Sequence, residues 1–154
     1  MEGYRVDRRD FSKGDTIASH GKFMSELTTK KKKVEEVLES KRPGGKLSRK
    51  NGLFIFESKE PALKHWLKME KGKLYQVYFD DYSHRGDMAK TEEIYKSLDE
   101  ADYMEDLAED YWNELMSSDA EVELIVDSAE VVEIISKDEE ERRDELKRRW
   151  GFLR

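Results

Sequence analysis

The chain has no cysteine and only two prolines among its 154 residues. Without a thiol there is no disulfide framework, no thiolate nucleophile and no thiolate metal site. Three widely spaced histidines argue against zinc, and no metal is expected. No run of about 18 apolar residues occurs, which predicts that no segment spans a membrane. No signal-peptide pattern opens the chain. These absences lead to the expectation of a cytoplasmic protein with no membrane partner.

What is present is charge and aromatic bulk. Charged residues make up 42% and hydrophobic residues 36%, so the surface is heavily charged. Six Phe, seven Tyr and three Trp are too many for a disordered chain. The length suits one domain with one core. The net charge of -7 conceals an asymmetry. Residues 1–50 carry 14 Lys or Arg against 8 Asp or Glu, a balance of +6, and the remainder carries -13. A basic first third suits an anionic small molecule or a phosphate backbone. The pI near 5.2 argues against a dedicated nucleic-acid binder.

Along the chain, residues 3–7 read as a strand, followed by a turn at Gly14-Asp15. Arg5 lies inside that strand and needs an anionic partner, either a carboxylate of the chain or a ligand. Residues 23–40 read as a helix with Phe23, Leu27, Val34, Val37 and Leu38 on one face. The run Lys30–Lys33 on it is either a patch for a polyanion or a solvated surface. A basic Pro/Gly loop, residues 41–52, contains Ser48-Arg49, a hydroxyl and a guanidinium suited to a phosphate. Residues 53–57 form a strand. Ser58 stands at the N-cap of a helix running to about Glu70, and residues 74–79 form the next strand. Asp80–Gly86 reads as a polar loop. Thr91 opens a short helix. From Ala101 to Met116 an apolar stripe that includes Tyr111 and Trp112 marks a core helix.

Residues 121–135 read as a hairpin turning at Asp127-Ser128. Strand alternation puts Glu121 and Glu123 on one face and Val122 and Leu124 on the other. That pair is either a catalytic edge or a solvated face. Asp138 with Glu141 resembles a capping box for a terminal helix to Trp150. The expected organisation is one α+β domain over residues 1–137, then a charged helix over 138–154, packed on it or trailing from it.

Several of these stretches, taken in order, resemble one family. Tyr4-Arg5 is similar to the opening motif of ADP-ribosyltransferases of the arginine-serine-glutamate type. Phe11–Asp15 resembles the strand-to-loop passage of bacterial rifampin ADP-ribosyltransferases. Phe54–Ser58, followed by Ala62 and Trp66, resembles the second motif, and Glu121–Leu124 the Glu-X-Glu motif. Ser48-Arg49 and Ala108–Trp112 resemble a poorly characterised bacterial branch of the same fold. The resemblance implies split β-sheets around an NAD cleft, with flanking helices. It implies transfer of ADP-ribose from NAD, the co-substrate, to a macromolecular acceptor, protein or nucleic acid. Glu123 and Glu121 would be catalytic. Arg5, Ser48, Arg49, Phe56 and Ser58 would hold NAD, with Phe56 against the nicotinamide. Two other readings stand beside this one: a non-catalytic module that binds NAD, ADP-ribose or a protein, and an interaction protein whose acidic surface meets a basic partner.

Overall fold

The computed structural model describes residues 1–69, 71–136, 143–149 and 151. The chain is a mixed α+β protein whose contacts divide it into two compact units. The first comprises residues 1–17, 55–80 and 129–154, and the second residues 18–54 and 81–128.

In the first unit, β1 (Glu2–Asp7) lies between β3 (Leu53–Phe56) and β4 (Lys73–Tyr78), antiparallel to both. β7 (Ser128–Ile134) pairs antiparallel with β4, and β2 (Thr16–Ala18) lies beyond it. The turn before β2 depends on Gly14, whose φ of 93° lies in the left-handed region. Ser12 N–H donates there to the Asp15 carboxylate. α2 (Lys59–Lys68) buries Ala62, Leu63, Trp66 and Leu67, a helical stripe that meets Val6, Leu74 and Ile135. Pro61 falls in its first turn, where a missing N–H costs nothing. α5 (Arg143–Arg149) adds Leu146 to that core. The proposed cap at Asp138 and Glu141, and Trp150, lie outside the described residues.

In the second unit, α1 (Thr29–Ser40), α3 (Met88–Lys96) and α4 (Ala101–Trp112) pack around a core of Val34, Leu38, Ile94, Leu107, Ala108, Tyr111, Trp112 and Ile125. Thr28 caps α1, accepting from Lys31 N–H at 3.3 Å. The stretch before it, expected as helix, is a 3-10 turn at Met24–Glu26. β5 (His84–Asp87) and β6 (Val122–Val126) pair antiparallel, with Gly86 opposite Glu123. The strand order is β3-β6-β5 in this unit and β2-β7-β4-β1-β3 in the first.

Three sequence expectations are corrected by this topology. β3 is common to both orders, so the strands do not form two separate packed sheets. Residues 121–135 do not form a hairpin: β6 has β3 and β5 as neighbours, while β7 has β2 and β4. The Asp127-Ser128 turn signal is local, and the pairing is decided by where each strand finds a partner. Residues 84–87 are a strand rather than loop, and Asp87 caps the following helix in place of Thr91. Among the described residues no helix is long and apolar enough to cross a membrane.

Candidate functional site

A buried polar cluster in the second unit is centred on Arg49. Arg49 leaves the basic loop where Asn51 and Gly52 N–H both donate to Ser48 C=O, a tight turn that aims its side chain inward. Its Nε and Nη2 donate to the two carboxylate oxygens of Glu35 on α1, at 2.7 and 3.0 Å. This is the bidentate geometry that a planar guanidinium favours. Nη1 donates to the Tyr111 hydroxyl at 2.5 Å and to Glu123 Oε1. Tyr111 O–H in turn donates to the same Glu123 oxygen at 2.7 Å. Aromatic rings flank the guanidinium, its carbon lying 4.7 Å from the Phe54 centroid and 5.2 Å from that of Tyr111.

The fold builds this cluster from four elements. Glu123 points from β6 to the same side as Ile125, into the α1–α3–α4 core, because alternate strand residues share a face. Tyr111 reaches it because the cross-strand partner of Glu123 is glycine. A Cβ on Gly86 would lie 2.7 Å from Tyr111 Cζ and 2.9 Å from its hydroxyl oxygen. The bare backbone of Gly86 therefore makes the space that the Tyr111 ring fills.

The electrostatics follow from burial and pairing. Side-chain exposure is 9% for Arg49, 11% for Glu35 and 9% for Glu123. Burial opposes the Arg49 charge, but Glu123, Tyr111 and Glu35 hold its pKa well above the ordinary value. Burial, with the Glu123 charge beside it, pushes the Tyr111 phenol well up, although Arg49 acts the other way. The cluster holds two carboxylates and one guanidinium, so with Tyr111 neutral it keeps one negative charge in excess. Four of the five guanidinium N–H groups are committed to Glu35, Tyr111 and Glu123. Both hydrogen bonds of Glu123 fall on Oε1.

A second network adjoins the first. His84 is fully buried, its ring 4.6 Å from both Tyr111 and Trp112. Lys46 Nζ lies 2.7 Å from His84 Nδ1 and donates to Trp112 C=O at 3.2 Å and Glu114 at 3.0 Å. Burial and the Lys46 charge push the His84 pKa down to about 4. The imidazole is therefore neutral at pH 7, with Nδ1 accepting from the ammonium and the proton on Nε2. Nε2 is buried with no hydrogen-bond partner among the described residues.

The residues singled out in the sequence are distributed as follows. Glu123, Arg49 and Ser48 come together in the second unit, Ser48 donating its hydroxyl to Glu39 at 3.0 Å. Glu121 stands before β6 with its side chain exposed, and its carbonyl accepts from Met88 N–H. Arg5, Phe56 and Ser58 belong to the first unit. Arg5 finds a carboxylate of the chain, Asp7, to which Nε and Nη2 donate. Burial lowers the Arg5 pKa against the pull of Asp7. Burial alone would raise the Asp7 carboxyl, but Arg9 and Arg5 together hold it below its usual range. Phe56 packs on the first unit's core, 5.6 Å from the His65 ring. Ser58 occupies the N-cap of α2, and its side chain makes no capping hydrogen bond.

Glu35, Tyr111, Gly86, His84, Lys46 and Glu114 were not singled out as site residues by the sequence. Tyr111 sits in the apolar stripe of α4 and reads as core, which it also is. The one local signal is Gly86, a glycine amid polar residues that marks a close approach.

No protein-family model matches the chain, and no curated protein matches it in sequence.

Proposed function

We propose that the chain is an NAD-dependent ADP-ribosyltransferase that moves ADP-ribose to a macromolecular acceptor, protein or nucleic acid, with release of nicotinamide. The observation that carries this reading is the charge balance around Arg49, where two buried carboxylates face one guanidinium. When the nicotinamide–ribose bond breaks, its electron pair leaves with nicotinamide and positive charge moves onto the ribose. A fixed excess of negative charge stabilises that state more than the ground state. Glu123 is the acting carboxylate, anchored through Oε1 by Arg49 and Tyr111, with Oε2 available to the ribose. The acceptor then bonds to the anomeric carbon and gives up a proton, for which the exposed Glu121 is the proposed base.

The residues fit the ribose end of NAD better than its pyrophosphate. Among the described residues Arg49 has one uncommitted N–H, and Ser48 is bonded to Glu39. Arg49 is therefore a positioning residue for Glu123 rather than a phosphate ligand. An ADP-ribosyltransferase-like fold, without two separate sheets, belongs to the same proposal. Support comes from the second unit alone, and Arg5, Phe56 and Ser58 add nothing to it.

Binding without turnover is the second reading. It is favoured by an open groove of about 550 Å³ whose walls include Glu35 and Arg49 but not Glu123. Mass spectrometry of a lysate incubated with the protein and labelled NAD separates the two. Labelled ADP-ribose adducts are expected. Calorimetric NAD binding without adducts would leave the binding module. Neither binding nor adducts would leave the interaction protein.

A further inference from the structure

The groove of about 550 Å³ in the second unit has a composition of its own. Phe23, Leu27 and Val34 line it on one side and Tyr95 of α3 on another. Phe23 and Leu27 are only half-buried, and Tyr95 is 36% exposed. Apolar and aromatic surface is thus left open beside a strongly basic helix turn. The first turn of α1 is Thr29-Lys30-Lys31-Lys32 with Lys33 next, and it contains no acidic residue. This is the wrong charge for a helix N-terminus, where cations meet the positive end of the backbone dipole. Lys31 and Lys96 line the groove, and the Lys30 ammonium lies 4.6 Å from the Tyr95 ring centroid. Among the described residues none of Lys30–Lys33 or Lys96 takes part in an ion pair. The acids lining the groove are Glu35, which Arg49 holds through both oxygens, and Glu92.

Several other cations of the second unit are paired. Lys41 meets Glu105 and Glu109, Lys46 meets Glu114, and Arg42 meets Glu39. Lys30, Lys31 and Lys96 thus bring three ammonium groups without a carboxylate partner among the described residues to one open aromatic groove. We propose that this groove binds single-stranded nucleic acid, one base lying against Phe23 and Tyr95 and the flanking phosphates on Lys30, Lys31 and Lys96. Stacking surface beside a track of cations is the arrangement that recognises single strands. The lysines extend past the groove's lining, and this favours a strand, with a phosphate on either side of the seated base, over a free mononucleotide. The site does not depend on ADP-ribosyl transfer, and it is tested without NAD.

The test is fluorescence anisotropy of a fluorescein-labelled oligothymidylate titrated with the full chain at about 50 mM salt. Binding is expected to weaken steeply as salt rises. Lys31→Glu and Lys96→Glu are each expected to weaken it about tenfold. Tyr95→Ala is expected to weaken it about tenfold, and Tyr95→Phe, which keeps the ring, to leave it unchanged. All three side chains are exposed, and circular dichroism checks that each variant keeps its fold. The proposal is overturned if the oligonucleotide does not bind. It is overturned if adenosine monophosphate competes as well as the unlabelled strand, since the ligand is then a free nucleotide. It is overturned if Tyr95→Ala binds like the wild type while inorganic polyphosphate displaces the strand, since binding is then charge alone.

Discussion

Gly86 and Tyr111 occupy one space between them: the Tyr111 ring lies where a side chain at Gly86 would be, 2.7 Å from Cζ to the position of a Cβ. The position paired with Gly86 across the strands is Glu123, whose carboxylate the Tyr111 hydroxyl reaches. A polar contact deep in the second unit therefore depends on the absence of one methyl group.

Gly86→Ala should force the Tyr111 ring off its seat and cost about 1–3 kcal/mol, as overpacking of a filled core does. Urea unfolding measures it. A change within about 0.5 kcal/mol of zero would mean that the ring has room to move and that Gly86 is not what positions it.

Arg49 pairs with both Glu35 and Glu123 and offsets their mutual repulsion. Arg49→Met leaves two buried carboxylates facing each other and should cost about 3–5 kcal/mol. Arg49→Lys keeps the charge but loses the fork that binds Glu35 through both oxygens, so an intermediate loss is expected. Equal stability of all three proteins would contradict a structural role for the network.

The strands at 53–57 and 74–79 were legible in the sequence because apolar residues dominate them, and α4 because Leu107, Ala108, Tyr111 and Trp112 recur at helical spacing. β5 was not legible. His-Arg-Gly-Asp has no apolar alternation, and its strand form comes from pairing with β6. Glu123, Arg49 and Ser48 could be singled out one at a time. That Arg49 would meet Glu35 14 positions away, Tyr111 62 away and Glu123 74 away is set by tertiary packing. The charge excess that supports the functional reading is a property of the assembled group, so no stretch of sequence displays it.

His84 should make stability depend on pH. Its folded pKa of about 4 lies below the ordinary 6.5, so the unfolded chain takes up a proton that the folded chain refuses. Stability is full above about pH 6.5, falls as the pH drops from there, and loses nothing further from this group below about 4. The total is roughly 3 kcal/mol. Urea unfolding at a series of pH values should show the loss in the wild type and a flatter profile in His84→Phe. Parallel profiles would mean that His84 is not the group responsible.

In the proposed reaction Glu123 stabilises positive charge as nicotinamide leaves. The most direct measurement is single-turnover nicotinamide release from labelled NAD by the wild type and by Glu123→Gln, which keeps the shape and removes the charge. The account predicts release by the wild type and a loss of about a hundred- to thousandfold in the variant, with NAD binding retained because the contact strengthens only in the transition state. Equal rates for the two proteins would show that Glu123 is not the acting group, and no release by the wild type, with lysate supplying acceptors, would contradict the account altogether.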